Sequence, residues 1–172
     1  MAKCQSTGGD MQDGLSHERN AIITLMLLGF LSIPLFLLSP ALSIGLIWGA
    51  ICGFFIDPDL DHRGTTRAEY RMYRVNRLIG ALFHMYWTPY QTFIRHGSLL
   101  SHGGKGLLGW VSMALIATPI RIVYSLWWLI PLALSVDFVY QWLMWIPGLF
   151  WLGLYLGWAA QDFVHWLRDE FD

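Results

Sequence analysis

Four apolar runs, separated by polar segments, constrain this chain more than any other feature. The runs cover residues 21–38, 41–56, 107–134 and 143–162, close to the length of about 20 apolar residues that a membrane-spanning helix needs. The chain is 55% hydrophobic and only 13% charged, whereas soluble domains contain about 25% charged residues. The sequence therefore predicts an all-α integral membrane protein, a four-helix bundle that forms a single membrane domain over residues 16–172.

The segments around the first two runs indicate how they are connected. Asp10, Asp13 and Glu18 make the N-terminal region too acidic for a signal peptide, so the first run is expected to be a retained helix, and residues 1–15 are expected to form a disordered polar tail. Ser39-Pro40 predicts a turn and hence a helical hairpin. Glycines recur at every fourth position of the second run, which favours close helix packing; they are Gly45, Gly49 and Gly53.

Arg121 interrupts the third run and leaves its geometry open. Either Arg121 faces the bundle interior, or the stretch before it lies at the membrane interface and the span begins near Ile122. A split at Thr118-Pro119 would instead give five helices. That topology would place the end of the last run on the opposite face of the membrane.

Charge predicts the orientation of the four-span topology. The N-terminal tail, the long loop over residues 57–105 and the C-terminus share one side and contain every Lys and Arg except Arg121. The positive-inside rule places that side, with both termini, in the cytoplasm.

Arginines recur along the long loop at helical spacing, at Arg63, Arg67, Arg71, Arg74 and Arg77. Apolar residues recur on a neighbouring strip at Ala68, Met72, Val75, Ile79 and Leu82. Two such strips predict one amphipathic helix over Arg63–Arg77 that lies on the membrane, with its arginines reaching anionic lipid headgroups. Nucleic acid is the less favoured partner, since basic residues beside spans are ordinary topology determinants.

Histidine and aspartate residues cluster where the apolar runs meet polar sequence, on the predicted cytoplasmic side. Asp57, Asp59 and Asp61 follow the second run, where the negative end of a helix dipole disfavours carboxylates unless a positive group compensates. The compensating charge is either a metal ion or the arginine strip.

The remaining clusters contain the imidazoles. His17 precedes the first run, and His96 and His102 lie in a loop rich in glycine and serine. Asp162, His165 and Asp169 share one helix face by their spacing of three and four. Imidazole and carboxylate groups that converge favour a divalent metal site, although a salt-bridged helix end would also explain the last cluster.

Together these motifs resemble an uncharacterised bacterial family of metal-binding membrane proteins, which is distantly similar to LexA-regulated inner-membrane metal-dependent hydrolases. The resemblance rests on His17, on Pro-Asp-Leu-Asp at 58–61, on Trp-Thr-Pro-Tyr-Gln at 87–91, on the 96–103 loop and on His165 with Asp169. It implies metal binding at His17, Asp59, Asp61, His96, His102, His165 and Asp169, in the inner membrane or an internal membrane of a bacterium. Gly97 departs from the arginine that the family commonly has there.

The leading functional hypothesis is a metal-dependent hydrolase that acts on a lipid or another phosphate ester at the cytoplasmic face, with one or two zinc or manganese ions. His17 is a candidate general base as well as a ligand, and Asp57 and Asp162 are further candidate ligands. The alternative is a non-catalytic metal-binding scaffold, sensor or assembly factor. Neither a serine-hydrolase elbow nor a phosphate-binding glycine loop is present in the sequence.

Overall fold

The described part of the chain is entirely helical, as predicted. The computed structural model describes residues 9–56, 60, 66–95, 98, 100, 106–127, 131, 135 and 146–171. Within these ranges the helices are α1 (Gly9–Leu38), α2 (Pro40–Phe55), α3 (Arg67–Val75), α4 (Arg77–Phe93), α5 (Gly106–Leu126) and α6 (Gly148–Phe171). Because α1 begins at Gly9, residues 9–15 are helical and do not belong to the predicted disordered tail.

The predicted hairpin joins α1 to α2 at Ser39-Pro40. Ser39 has an extended backbone, its hydroxyl accepts a hydrogen bond from the Leu42 amide at 3.3 Å, and Pro40 occupies the first helical position, where its missing N–H is not needed. The two helices then pack together. The Ser43 hydroxyl donates to the Ser32 carbonyl at 2.8 Å, across the hairpin.

Glycines allow α2 and α6 to approach each other closely. A Cβ atom on Gly45 would overlap the Phe150 carbonyl, and one on Gly49 would overlap the Leu154 carbonyl. Gly157 of α6 is equally close to the Leu46 carbonyl. Residue numbers rise together along both helices, so α2 and α6 are parallel. The interpretation of the glycine stripe as a helix-packing surface is confirmed.

The parallel packing brings several polar segments to one end of the bundle. The Gln161 side-chain amide donates to the Ala21 carbonyl at 3.2 Å, and Gly53 faces Gln161. The beginning of the apolar part of α1, the C-terminal end of α2 and residues near Gln161 in α6 therefore meet. We call this region, defined by Ala21, Gly53 and Gln161, the polar end.

Helix α5 passes through Thr118-Pro119 without a break. Residues Met113–Ala117 form a π-helical turn, in which the Thr118 amide bonds to the Met113 carbonyl. The single Thr118 hydroxyl proton is shared between the same carbonyl, at 3.0 Å, and the Asp162 carboxylate of α6. A π-turn accommodates the proline because it changes the hydrogen-bonding register just before a residue that has no N–H. The five-helix alternative, with its split at this dipeptide, is therefore wrong.

Two of the described helices are long and apolar enough to cross a bilayer. They are Glu18–Leu38 and Gly106–Leu126, and Pro40–Phe55 is a shorter apolar helix. The third predicted span extended to residue 134, and the fourth began at residue 143. Residues 128–130, 132–134 and 136–145 lie outside the described ranges, so the connection between these spans stays a prediction.

An amphipathic helix was predicted over Arg63–Arg77. The structure has α3 over Arg67–Val75 of that range and ends it at Asn76, so the apolar strip that was expected to continue to Leu82 is divided between two helices. Asn76 is extended (φ −163°, ψ 138°), and its side chain accepts from the Leu78 amide at 2.8 Å, which starts a second helix. Gly80 lets the two helices fold together, since a Cβ there would overlap the Tyr73 ring. Residues 63–65 lie outside the described ranges.

Aromatic rings attach the α3–α4 hairpin to α5. The rings of Trp87 and Tyr90 lie 5.0 Å and 5.2 Å from the ring of Tyr124. The Tyr86 hydroxyl donates to the Tyr124 carbonyl at 2.6 Å, and burial raises the pKa of Tyr86 to about 12, so this donor stays protonated. Leu60 is fully buried in the same cluster.

Replacing a glycine at the α2–α6 contact should destabilise the protein. We expect Gly49→Ala to lower the free energy of unfolding by about 1–3 kcal/mol, because the added methyl group overlaps the Leu154 backbone. The matched control is Gly29→Ala in α1, where a Cβ has no neighbour within 4 Å and no loss is expected. Thermal unfolding in detergent measures both variants. Equal midpoints for the two would contradict the packing.

Candidate functional site

The described ends of α2 and α4 and the start of α5 lie towards the polar end. Ile56, the residue after α2, and Ile94, the residue after α4, both pack against the buried cluster that contains Leu60. Near the start of α5, the Trp110 ring lies 5.4 Å from the ring of Phe163 in α6. The C-terminal ends of α2 and α4 and the N-terminal end of α5 therefore lie on the same side of the molecule.

The predicted site residues are described to different extents. The backbones of His17 and Asp169 lie in α1 and α6, and His17 is one turn before Ala21. His165 is half-buried on α6, one turn beyond Gln161. Asp162 is buried, with 1% of its surface exposed. The remaining predicted ligands lie outside the described residues; they are Asp57, Asp59, Asp61, His96 and His102.

Asp162 takes part in a buried ion pair with Arg121. The Arg121 Nη2 atom lies 2.5 Å from Asp162 Oδ2, and the Thr118 hydroxyl donates to the same oxygen. Thr118 and Arg121 are both 0% exposed. Arg121 thus faces the bundle interior, which was the first of the two alternatives for this residue. Asp162 was predicted as a ligand or as the group that orients His165, and one of its oxygens is occupied by Arg121 and Thr118.

The Arg121 guanidinium is only partly satisfied by these contacts. Its Nε and Nη1 atoms are buried and have no hydrogen-bond partner among the described residues. A buried donor without an acceptor costs roughly 1–3 kcal/mol, and more when it is charged. The pair therefore has room for further acceptors, such as ordered water.

A second buried carboxylate, Glu69, lies between α3 and α4. Its Oε1 atom is 2.8 Å from His84 Nδ1 and accepts from the Gln91 side-chain amide at 2.9 Å. Its Oε2 atom accepts from the Thr66 amide at 3.1 Å, while the Thr66 hydroxyl accepts from the Glu69 amide, and this reciprocal pair forms a capping box. Glu69 is 0% exposed.

The Glu69 site lies close to the end of α2. Arg71, two residues further along α3, donates to the Phe54 carbonyl, and its guanidinium carbon lies 4.2 Å from the Phe54 ring centre. Arg71 had been expected to face lipid headgroups together with the rest of the arginine strip. It instead caps a carbonyl at the C-terminal end of α2, where a positive charge is favoured.

The described side chains include donors of the kinds that bind divalent metals. Within the described ranges no three His, Cys, Asp or Glu side chains lie close enough together to hold an ion. The chemistry of the available donors nevertheless fits a divalent metal, because Glu69, His84, Asp162 and His165 provide carboxylates and imidazoles. The segments that would complete the set are those over residues 57–61 and 96–102.

Sequence reasoning did not single out Glu69 and His84. Two signals were present: Thr66 with Glu69 three residues later is a capping-box pattern, and His84 and Gln91 are seven residues apart on one helix face. Neither signal reveals that the two helices fold against each other at Asn76. That fold brings a carboxylate and an imidazole together across 15 residues of sequence.

Breaking the buried ion pair should be costly, whereas removing both of its partners should not. We expect Arg121→Met to lower the free energy of unfolding by about 3–5 kcal/mol, because Asp162 would be left buried without its counter-charge. The double variant Arg121→Met with Asp162→Leu should recover most of this loss, and Thr118 would keep its bond to Met113. Chemical unfolding in detergent tests this expectation. A loss below about 1 kcal/mol for the single variant, as for a surface pair, would contradict it.

The comparisons with known proteins agree with the chemistry of these donors. Searches of curated proteins and of solved structures gave no match. The model of the family described as "Uncharacterized metal-binding protein (DUF2227)" matches residues 13–169, nearly the whole chain. The chain therefore belongs to this family of uncharacterized metal-binding proteins.

Proposed function

We propose that this protein is a multi-pass membrane protein that binds one or two divalent metal ions at the polar end and uses them to hydrolyse a lipid or another phosphate ester. The observation that carries the proposal is the meeting of helix ends at the polar end, in a chain of a metal-binding family. Zinc and manganese are the favoured ions, since both accept imidazole and carboxylate ligands.

Exposed apolar side chains on α1 support the membrane location. Phe30, Leu37 and Leu38 are 66%, 86% and 84% exposed, which is costly in water and favourable in lipid. We propose four crossings, in the order of α1, α2, α5 and α6, with both termini and the long loop in the cytoplasm. The concentration of arginines in that loop supports this orientation.

Helix α4 has the surface of an interfacial helix. An exposed apolar strip runs along it, consisting of Leu78, Leu82, Met85, Pro89 and Phe93. An exposed polar strip lies beside the apolar one, consisting of Arg77, His84, Thr88 and Thr92, and Arg95 follows just beyond the end of the helix. Such a helix lies in the plane of a bilayer, with its apolar side in the acyl boundary and its arginines at anionic headgroups. We therefore move the proposed lipid contact from the Arg63–Arg77 strip to α4.

The metal would be held by residues from four segments. We assign Asp59, Asp61, His96, His102 and His165 as ligands, with Asp169 or Asp162 orienting His165 and with Asp57 at the edge of the set. His17 is either a ligand or the general base. When bound, the ion would supply Lewis acidity and an activated water molecule. A site at headgroup level suits an amphiphilic phosphate ester.

A non-catalytic role is the second candidate. The Arg121–Asp162 pair is a case in which ionisable groups near the polar end join two helices. In a metal-stabilised scaffold or sensor, an ion with no open coordination position would likewise join segments of the chain. The two functions differ in turnover. A purified, metal-loaded wild type that cleaves no phosphate ester or lipid in a broad screen would favour the scaffold.

Metal content tests the ligand assignment. We expect purified wild-type protein to contain one or two divalent ions per chain by elemental analysis, and His96→Ala with His102→Ala to remove at least one of them. Asp169→Asn should weaken binding by roughly 10- to 100-fold without abolishing it, as the loss of an orienting carboxylate does. The control is Thr92→Ala, a polar-strip residue whose hydroxyl donates to the Thr88 carbonyl of the same helix. Unchanged stoichiometry in the double histidine variant would contradict the assignment.

Cysteine labelling tests the orientation of α4. In a background with Cys4 and Cys52 replaced by serine, cysteines at Leu82 and Met85 should be shielded by lipid from a water-soluble maleimide. Cysteines at Thr88 and Thr92, on the polar strip, should react fully. Equal reactivity of the two strips in proteoliposomes would show that α4 does not lie in the bilayer interface.

A further inference from the structure

The hydrogen bonds around Glu69 determine which nitrogen of His84 is available for chemistry. Glu69 Oε1 accepts from the Gln91 amide, so it is an acceptor, and His84 Nδ1 at 2.8 Å must be the donor. In the neutral imidazole the lone pair then resides on Nε2. This arrangement, a carboxylate on one imidazole nitrogen with the other nitrogen free to coordinate, is typical of metal-bound histidines.

Burial differs sharply between the two partners. The Glu69 side chain is 0% exposed, whereas that of His84 is 47% exposed. Glu69 is held at both oxygens by α3 and α4, so the carboxylate is fixed while the far edge of the imidazole remains accessible. A fixed carboxylate lowers the entropy that His84 loses when it coordinates an ion.

The pair also lies next to a predicted ligand segment. Leu60 packs against Ala68 of α3 and against Trp87 and Tyr90 of α4. Ala68 precedes Glu69 in the chain, and Trp87 lies three residues after His84. Asp59 and Asp61 flank Leu60 directly in the sequence. Leu60 therefore lies against the same hairpin that carries the imidazole.

We infer that His84 is an additional ligand of the metal ion at the polar end, bound through Nε2, and that Glu69 is the positioning residue that orients it. The inference rests on the proposed function, because it takes the same ion and the same end of the bundle. It extends the donor set from the loops onto the rigid α3–α4 hairpin. The ion would then join that hairpin to the segment that follows α2.

A purely structural role for the pair makes different predictions. If Glu69 and His84 only fasten α3 to α4, removing the imidazole changes the stability of the metal-free protein and leaves metal affinity unchanged. If His84 is a ligand, affinity falls and the coordination spectrum changes. Because His84 is half exposed, its replacement should leave the fold intact, so the two roles are separable.

Cobalt titration of the full-length protein in detergent provides the test. Co²⁺ is added to metal-free wild type, His84→Gln, Glu69→Gln and the control Thr92→Ala, and visible absorption and chelator competition are recorded. We expect His84→Gln to change the Co²⁺ spectrum and to raise the Kd at least 10-fold. Glu69→Gln should keep the wild-type stoichiometry and raise the Kd roughly 10- to 100-fold. Thr92→Ala should match wild type.

Two results would overturn the inference, and they are distinguishable. If wild type binds Co²⁺ and His84→Gln has the same spectrum and Kd, His84 is not a ligand, while the proposed function stands. If wild type binds neither Co²⁺ nor Zn²⁺, the proposed function fails together with the inference. Thermal unfolding of the metal-free variants, measured in parallel, confirms that each is folded, and the His84→Gln variant decides the matter even if Glu69→Gln does not fold.

Discussion

The close backbone contact between α2 and α6 is the constraint on which the rest of the structure depends. Gly49 and Gly157 leave no room for a side chain at this contact, so the two helices can run side by side only in this parallel register. The register decides which ends of the helices meet. Had α6 run in the opposite direction, Asp162 and His165 would lie far from the C-terminal end of α2.

Two buried carboxylates near the polar end illustrate different ways of keeping charge inside a small bundle. Asp162 forms an ion pair with Arg121 and accepts a hydrogen bond from the Thr118 hydroxyl, and these contacts join α5 to α6. Glu69 is held by an amide, a backbone N–H and an imidazole that reaches the surface. The first arrangement joins two helices through buried charges, whereas the second contains a half-exposed imidazole, for which we propose a ligand role.

Sequence patterns predicted the features that depend on residues close together in the chain. Pairs that form only through tertiary contacts were not predictable from those patterns. The helical class, the Ser39-Pro40 turn and the glycine stripe follow from residue types and spacing, and all three are present. The amphipathic pattern over Arg63–Arg77 corresponds to α3 over Arg67–Val75, but the pattern did not reveal that an N-capping asparagine ends α3 at Asn76 and begins α4. The Glu69–His84 pair was missed, since only the fold at Asn76 brings the two residues together, and the Arg121–Asp162 pair joins residues 41 positions apart.

X-ray absorption at the zinc edge of the metal-loaded protein tests directly whether histidines and carboxylates of this chain hold the ion. We expect a shell of nitrogen and oxygen atoms at about 2.0–2.2 Å from the zinc ion, with the multiple-scattering signature of three or more imidazoles. That shell would mean that histidines from separate segments meet at one ion. A sulfur shell at about 2.3 Å, or the absence of imidazole scattering, would contradict the proposed histidine ligands, because the ion would then be held by cysteine or by carboxylates alone.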